Sequence, residues 1–221
     1  MLKSAKYSSH HGVDNQLQET MKLLDQNPNI DMLEIDFVCI NDEYISSHDY
    51  SDENVSKGSK LEDWVNEIVK RNKVLWLDLK DETVSIFFNL SKLNMTALGV
   101  KLFQLYSKYP QVLDLVMVGC QYSYAYNNLI SMNLPFKIVN DLPKDTAYVA
   151  DYVSANISQW LAGESVKIVN DDIVALDRKF FPDLKKVVDE LKAETIIIYN
   201  YEPEEEFVIE TKKHVIYQFS F

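Results

Sequence analysis

The chain has 221 residues, room for one large domain with a sizeable core or for two small ones. Its 47% apolar and 25% charged residues are ordinary for a globular protein in water. A net charge of −12 argues against nucleic acid or an anionic membrane as a main partner, but leaves an anionic small molecule open, because a few local cations or a metal reverse the field in one pocket.

Apolar runs and helical patterns alternate along the chain. Residues 2–9 read as a first strand that ends at His10 and His11. Asn15 to Asn27 carries Leu17, Met21 and Leu24 at helical spacing. Residues 31–40 read as a second strand, and EYISSHD (43–49) as its extended continuation. LEDWVNEIVK places Leu61, Trp64, Val65, Ile68 and Val69 on one helix face. VLWLDLK (74–80) is a strand, and residues 83–108 read as helix, broken near Asn94. VLDLVMVGC (112–120) and PFKIV (135–139) are further strands. Short apolar stretches at 147–153, 166–169 and 172–176 have no assigned role. Residues 183–193 put Leu184, Val187, Val188 and Leu191 on one helix face. TIIIYN (195–200) and HVIYQFSF (214–221) are the last strands, and the acidic EPEEEF (202–207) reads as a solvated loop or helix start.

Such alternation implies a parallel sheet covered by helices. Up to nine strand candidates fit a barrel of eight or an open doubly wound sheet, and the pattern does not choose. No repeat, low-complexity tract or linker divides the chain, so residues 1–221 read as a single domain. Cys39 and Cys120 end apolar runs and are expected to be buried free thiols. No run reaches the roughly 18 apolar residues of a membrane span, and MLKSAKYSSHHG has no apolar signal core. The expectation is a reduced, cytoplasmic setting. With five glycines and no GxGxxG, GxxxxGK[ST] or GxSxG, the usual phosphate loops and the nucleophile elbow are unsupported.

The stretch MLEIDF (32–37) carries the chemistry. Met32, Leu33, Ile35 and Phe37 suit a buried strand, yet Glu34 and Asp36 sit two positions apart and so share a face. Two carboxylates aimed the same way among apolar residues need a positive partner. Asp78 and Lys80 repeat the spacing on the next strand. Three carboxylates from neighbouring strands match the oxygen-rich sphere of a hard divalent cation. His10 and His11 after strand one, and His48 and Asp49 after strand two, flank them. In parallel α/β folds such strand ends converge on one face. His214, with nothing polar beside it, reads as structural or exposed. Trp64 and Trp76 read as core, and Trp160 lies in an unassigned stretch.

HHG, then LEIDF, then SSHD, then LWLDLK resembles the glycerophosphodiester phosphodiesterase-like superfamily of (β/α)8 TIM barrels, whose pattern runs HRG, E-x-D, HD and E-x-K. His10 and Gly12 match the first motif, with His11 in place of arginine. Glu34 and Asp36 match the second, His48 and Asp49 the third, and Asp78 and Lys80 the fourth, with Asp for Glu. The motifs cover about the first 80 residues. The rest agrees only in alternation, so the resemblance implies a barrel irregular in its second half. Only about a dozen residues separate His48 from LEDW, so the family's inserted substrate segment is missing. That gap and the D-x-K bring the chain nearer to sphingomyelinase D-like and menorin-like relatives.

The resemblance implies a phosphoric diester hydrolase acting on a glycerophosphodiester or (lyso)phospholipid-like small molecule. It implies Mg²⁺ or Ca²⁺ held by Glu34, Asp36 and Asp78, with Lys80 as a second positive contact. His10 would take a proton from the attacking hydroxyl and His48 would protonate the leaving oxygen. HHG lets His11 take the part of His10, and Asp49 orients a loop or His48. The departures also fit an inactive barrel that binds a phosphorylated ligand or a protein partner. A metal-free enzyme with Lys80 as its cation ranks last, since it would leave Glu34 and Asp36 without a counter-charge.

Overall fold

The computed structural model describes residues 5–80, 83–85, 90–91, 95–120, 131–141, 173–178, 185, 188–189, 193–199, 209 and 211–220. Eight parallel strands close into a barrel: β1 (Tyr7–His10), β2 (Met32–Ile40), β4 (Val74–Leu79), β7 (Val116–Cys120), β8 (Lys137–Asp141), β9 (Ile173–Asp177), β10 (Thr195–Tyr199) and β11 (His214–Ser220). Each pairs in parallel with its neighbour, and β1 closes the ring by pairing with both β11 and β2. The choice between barrel and open sheet is thereby made. Among the described residues, no helix is long and apolar enough to cross a membrane.

Alternation along the strands sorts two apolar layers. Met32, Val74, Trp76, Met117, Val139, Ile173, Ala175, Ile197 and Ile216 pack together inside the barrel. The intervening Leu33, Ile35, Phe37, Leu75, Leu77 and Val118 face outward, against the helices. Helix α1 (Leu17–Gln26) buries Leu17, Thr20, Met21 and Leu24 there. Helix α3 (Leu61–Arg71) buries Leu61, Trp64, Val65 and Ile68, the predicted stripe. Its first turn is acidic and its last basic, which complements the helix dipole, and Asn72 ends it in the left-handed region.

Several expectations need correction. EYISSHD does not continue β2. Asn41 and Asn-like Asp42 both take positive φ, 51° and 65°, and reverse the chain, so β3 (Glu43–Ser46) lies antiparallel on β2 outside the barrel. A short helix, α2 (Asp52–Lys57), then occupies the stretch before α3. Residues 83–108 are not all helix. Strands β5 (Thr83–Ser85) and β6 (Leu90–Ser91) pair antiparallel, and the helix α4 spans Met95–Lys108. Residues Val112–Leu115 form one helical turn, α5, and β7 begins only at Val116.

Cys39 is a buried free thiol, as expected. His214 is half-buried at the start of β11, and its Nε2 lies 2.6 Å from the Ala5 carbonyl oxygen. Of the predicted helix 183–193, the described Lys185, Val188 and Asp189 are helical and the described Ala193 is not. The stretches 147–153, 166–169 and 202–207, and Trp160, lie outside the described residues, as does the Cys120 side chain.

Candidate active site at the carboxyl ends of the first strands

Glu34 and Asp36 lie on β2 and Asp78 on β4, on the inward face, and all three are buried. Register sets their spacing. His10 pairs with Glu34 across β1 and β2, and Asp36 with Asp78 across β2 and β4. One oxygen from each acid falls within 4.8 Å of the others, which is reach enough for a shared cation. The donors are all carboxylate oxygens, the type Mg²⁺ and Ca²⁺ prefer.

Lys80 follows β4, and its ammonium lies 2.8 Å from Asp36 Oδ1 and in direct contact with Asp78 Oδ2. The acids therefore carry part of their counter-charge within the chain. The expectation that Asp36 lacks one without a divalent ion does not hold. The lysine, two residues past Asp78, reaches across to Asp36 on the neighbouring strand.

Charge balance is nevertheless uneven. Burial pushes the Glu34 carboxyl well above the ordinary range, and the charges of Asp36 and Asp78 push the same way. Burial opposes ionisation of Asp36 too. There, Lys80 and His11, with hydrogen bonds from Lys80 and Asn15, outweigh it and hold the carboxyl low. Burial likewise works against the charge on Lys80, yet Asp78, Asp36 and Glu34 together keep its ammonium charged well beyond the usual range. One ammonium among three buried acids leaves room for further positive charge.

The loop after β1 supplies the remaining partners. His11, Gly12, Asp14 and Asn15 all have positive φ, so the chain coils tightly over the barrel mouth. At Gly12 an added Cβ would lie 2.5 Å from Thr20 Oγ1, so the close approach as well as the φ of 56° calls for glycine. The His11 amide donates to Glu34 Oε2 at 2.9 Å. His10 Nε2 and His11 Nε2 lie 3.6 and 3.9 Å from that same oxygen, and His11 Nε2 lies 3.4 Å from Asp36 Oδ2.

His48 is exposed on the loop after β3, with its ring 5.7 Å from that of His11. The imidazole stacked between the two expected partners is thus His11, whose ring centre is 3.6 Å from that of His10. The loop is held from behind, because the Ser47 amide donates to the Asp36 carbonyl at 3.0 Å. Asp49 accepts from the Ser51 amide at 2.9 Å, from the Ser51 hydroxyl and from Asn54 Nδ2 at 3.0 Å, so of its two expected tasks the loop is the one its hydrogen bonds serve.

Asn15, at the start of the stretch expected to be helical, is a further partner of the site. Its Nδ2 donates to Asp36 Oδ2 and its Oδ1 accepts from the Asp36 amide, both at 3.0 Å. Its own carbonyl accepts from Ser46 Oγ at 2.8 Å. Asn15 thereby joins the histidine loop, the acid and β3. Trp76, the register partner of Glu34 across β2 and β4, is buried, and its indole Nε1 sits where a Cβ on Gly119 would come within 2.5 Å.

No family model matches the chain, and no curated protein matches it in sequence. Solved structures match it in fold. A glycerophosphodiester phosphodiesterase from Parabacteroides distasonis ATCC 8503 aligns over 97% of this chain and 92% of its own, with a TM-score of 0.61 and 13% identity. One from Agrobacterium tumefaciens covers 98% and 94%, with a TM-score of 0.59 and 12% identity. A phosphodiesterase from Oleispira antarctica, in complex with the product sn-glycerol-3-phosphate, covers 96% and 92%, with a TM-score of 0.59 and 12% identity. Over nearly its whole length the chain thus has the barrel of these phosphodiesterases.

Proposed function

We propose that this barrel is a divalent-metal-dependent phosphodiesterase acting on a glycerophosphodiester or lysophospholipid-like substrate. One observation carries the reading: three buried carboxylates, a charged lysine and three imidazoles converge at one mouth of a barrel that glycerophosphodiester phosphodiesterases share. Glu34, Asp36 and Asp78 are the residues that would hold Mg²⁺ or Ca²⁺. Bound there, such an ion supplies positive charge to the phosphate oxygens, where negative charge grows during attack.

The chain's own groups divide the remaining work. Lys80, kept charged by the acids, offers the phosphate a second positive contact. His10 takes the proton of the attacking hydroxyl, and His11, stacked on it, is placed to share that duty. His48, exposed at the rim, protonates the departing oxygen where that fragment can diffuse away. Asn15 keeps Asp36 oriented, and the His11 amide does the same for Glu34.

The salt bridges of Lys80 favour a second reading, in which the ammonium is the sole cation. One experiment separates the two. Bis(p-nitrophenyl) phosphate, glycerophosphodiesters and lysophospholipids are assayed with and without chelator. Turnover that chelator abolishes and Mg²⁺ or Ca²⁺ restores supports the metal enzyme. Chelator-insensitive turnover transfers the role to Lys80, and no turnover on any substrate leaves a barrel that binds a phosphorylated ligand or a protein.

A further inference from the structure

The structure assigns a second cation site, distinct in donor type from the acid cluster, to His10, His11 and Glu34, suited to Zn²⁺ or a similar borderline ion. Consecutive side chains on an extended strand point to opposite faces. His10 and His11 do not, because His11 takes a φ of 57°. That backbone reversal folds the second ring back over the first, with ring centres 3.6 Å apart and planes inclined by 39°. Both Nε2 atoms consequently face one acceptor, Glu34 Oε2, at 3.6 and 3.9 Å.

These separations approach those of a metal's ligand shell. Two donors bound at about 2.0–2.1 Å in a tetrahedral sphere stand about 3.3 Å apart. One donor from each of the three residues falls within 4.8 Å of the others, so modest closure completes three protein ligands. Two imidazoles and a carboxylate with an open fourth position form a donor set typical of exposed zinc. Both histidines are half-buried, leaving solvent a path to that position.

Donor chemistry separates the two sites. Imidazole nitrogen favours Zn²⁺, Co²⁺ and Ni²⁺, whereas three carboxylates favour Mg²⁺, Ca²⁺ and Mn²⁺. Glu34 belongs to both groups and links them. If the phosphodiesterase reading is right, an ion on His10 and His11 occupies the lone pairs the reaction uses, so zinc inhibits where magnesium activates.

The test uses the full chain, stripped with chelator and desalted. Zn²⁺ affinity is read by competition with a chromophoric chelator, Mg²⁺ affinity by calorimetry, and Co²⁺ by its visible absorption. His10→Gln and His11→Asn remove one imidazole each, and asparagine tolerates the left-handed backbone at position 11. Asp78→Asn removes a ligand of the acid cluster only. Thermal melting verifies that each variant folds. The expected result is one Zn²⁺ per chain, weakened about tenfold or more by either histidine variant but within about twofold of wild type in Asp78→Asn. Mg²⁺ affinity follows the opposite pattern, and the Co²⁺ bands of the wild type fade in His11→Asn. Zinc binding unchanged in both histidine variants, or lost as strongly in Asp78→Asn, overturns the site. Zinc bound at the imidazoles without any phosphodiester turnover upholds the site while removing the proposed function. Magnesium-dependent turnover without zinc binding does the reverse.

Discussion

The two ends of the barrel interior differ sharply although the same strands build them. At the amino ends, Met32 and Val74 meet Ile173, Ile197 and Ile216 in a dry layer that needs no partner outside the barrel. Four residues further along the same two strands, Asp36 and Asp78 face each other across the β2–β4 pair. The lower layer is stabilised by its own burial. The upper one depends on groups from elsewhere: the His11 amide, Asn15 and Lys80. Apolar packing and buried charge are thus separated along the strand axis. Apolar contacts below tolerate unfavourable charge above, and each end can be disturbed with a distinct readout.

The largest expected effect tests the upper layer alone. His48→Ala should lower phosphodiester turnover about 10²–10⁴-fold, the usual contribution of a positioned acid. Because His48 is exposed, thermal stability and Mg²⁺ affinity should barely move. Normal turnover in that variant would remove His48 from the mechanism. The reciprocal disturbance is Met32→Ala in the layer below. Loss of this buried side chain should cost about 2–5 kcal/mol of folding stability by urea denaturation. A loss below about 1 kcal/mol would show that the lower layer is not what supports the site.

Lys80→Met sharpens the contrast, since it leaves Asp36 and Asp78 buried without their ammonium. Chelated protein should lose about 3 kcal/mol, the scale for breaking a buried ion pair, and Mg²⁺ should restore much of it. An unchanged melting temperature without metal would mean the lysine is not the acids' counter-ion.

The smallest effect concerns pH. Glu34 titrates higher in the folded chain than when unfolded, so the native state holds the proton more tightly. Its contribution to stability is therefore complete below the ordinary glutamate value of about 4.3 and declines as pH rises through Glu34's raised value. Chelated protein should therefore become less stable as pH rises across that interval. Glu34→Gln should flatten the slope in chemical denaturation curves measured at several pH values.

Much of this was legible in the chain itself. The i, i+2 spacing of Glu34 with Asp36 and of Asp78 with Lys80 put each pair on one strand face, and the barrel brings those faces together. The apolar stripe of residues 61–69 was equally direct. What escaped depended on backbone sign and on distant partners. The left-handed pair Asn41–Asp42 turned a continuation into a hairpin, and an Asn-Asp between apolar runs was a readable turn signal. Thr83 and Val84 are β-branched and favour strand over helix, a local preference that the helical reading of residues 83–108 overrides. Asn15 gave no local sign of its task, because its partner Asp36 lies 21 residues away. The ordering of the imidazoles was hidden for the same reason: only the positive φ of His11 places its ring between the other two.

The short outer strand has a mechanical consequence. Ser46 is clasped by Asn15 and by the Ser59 amide, and Ser47 hangs from the main chain of Asp36 itself. The rim bearing His48 is thereby geared to the floor bearing the acid. A shift of the Asp36 backbone is passed directly to Ser47, so the exposed imidazole of His48 and the buried carboxylate cannot drift independently.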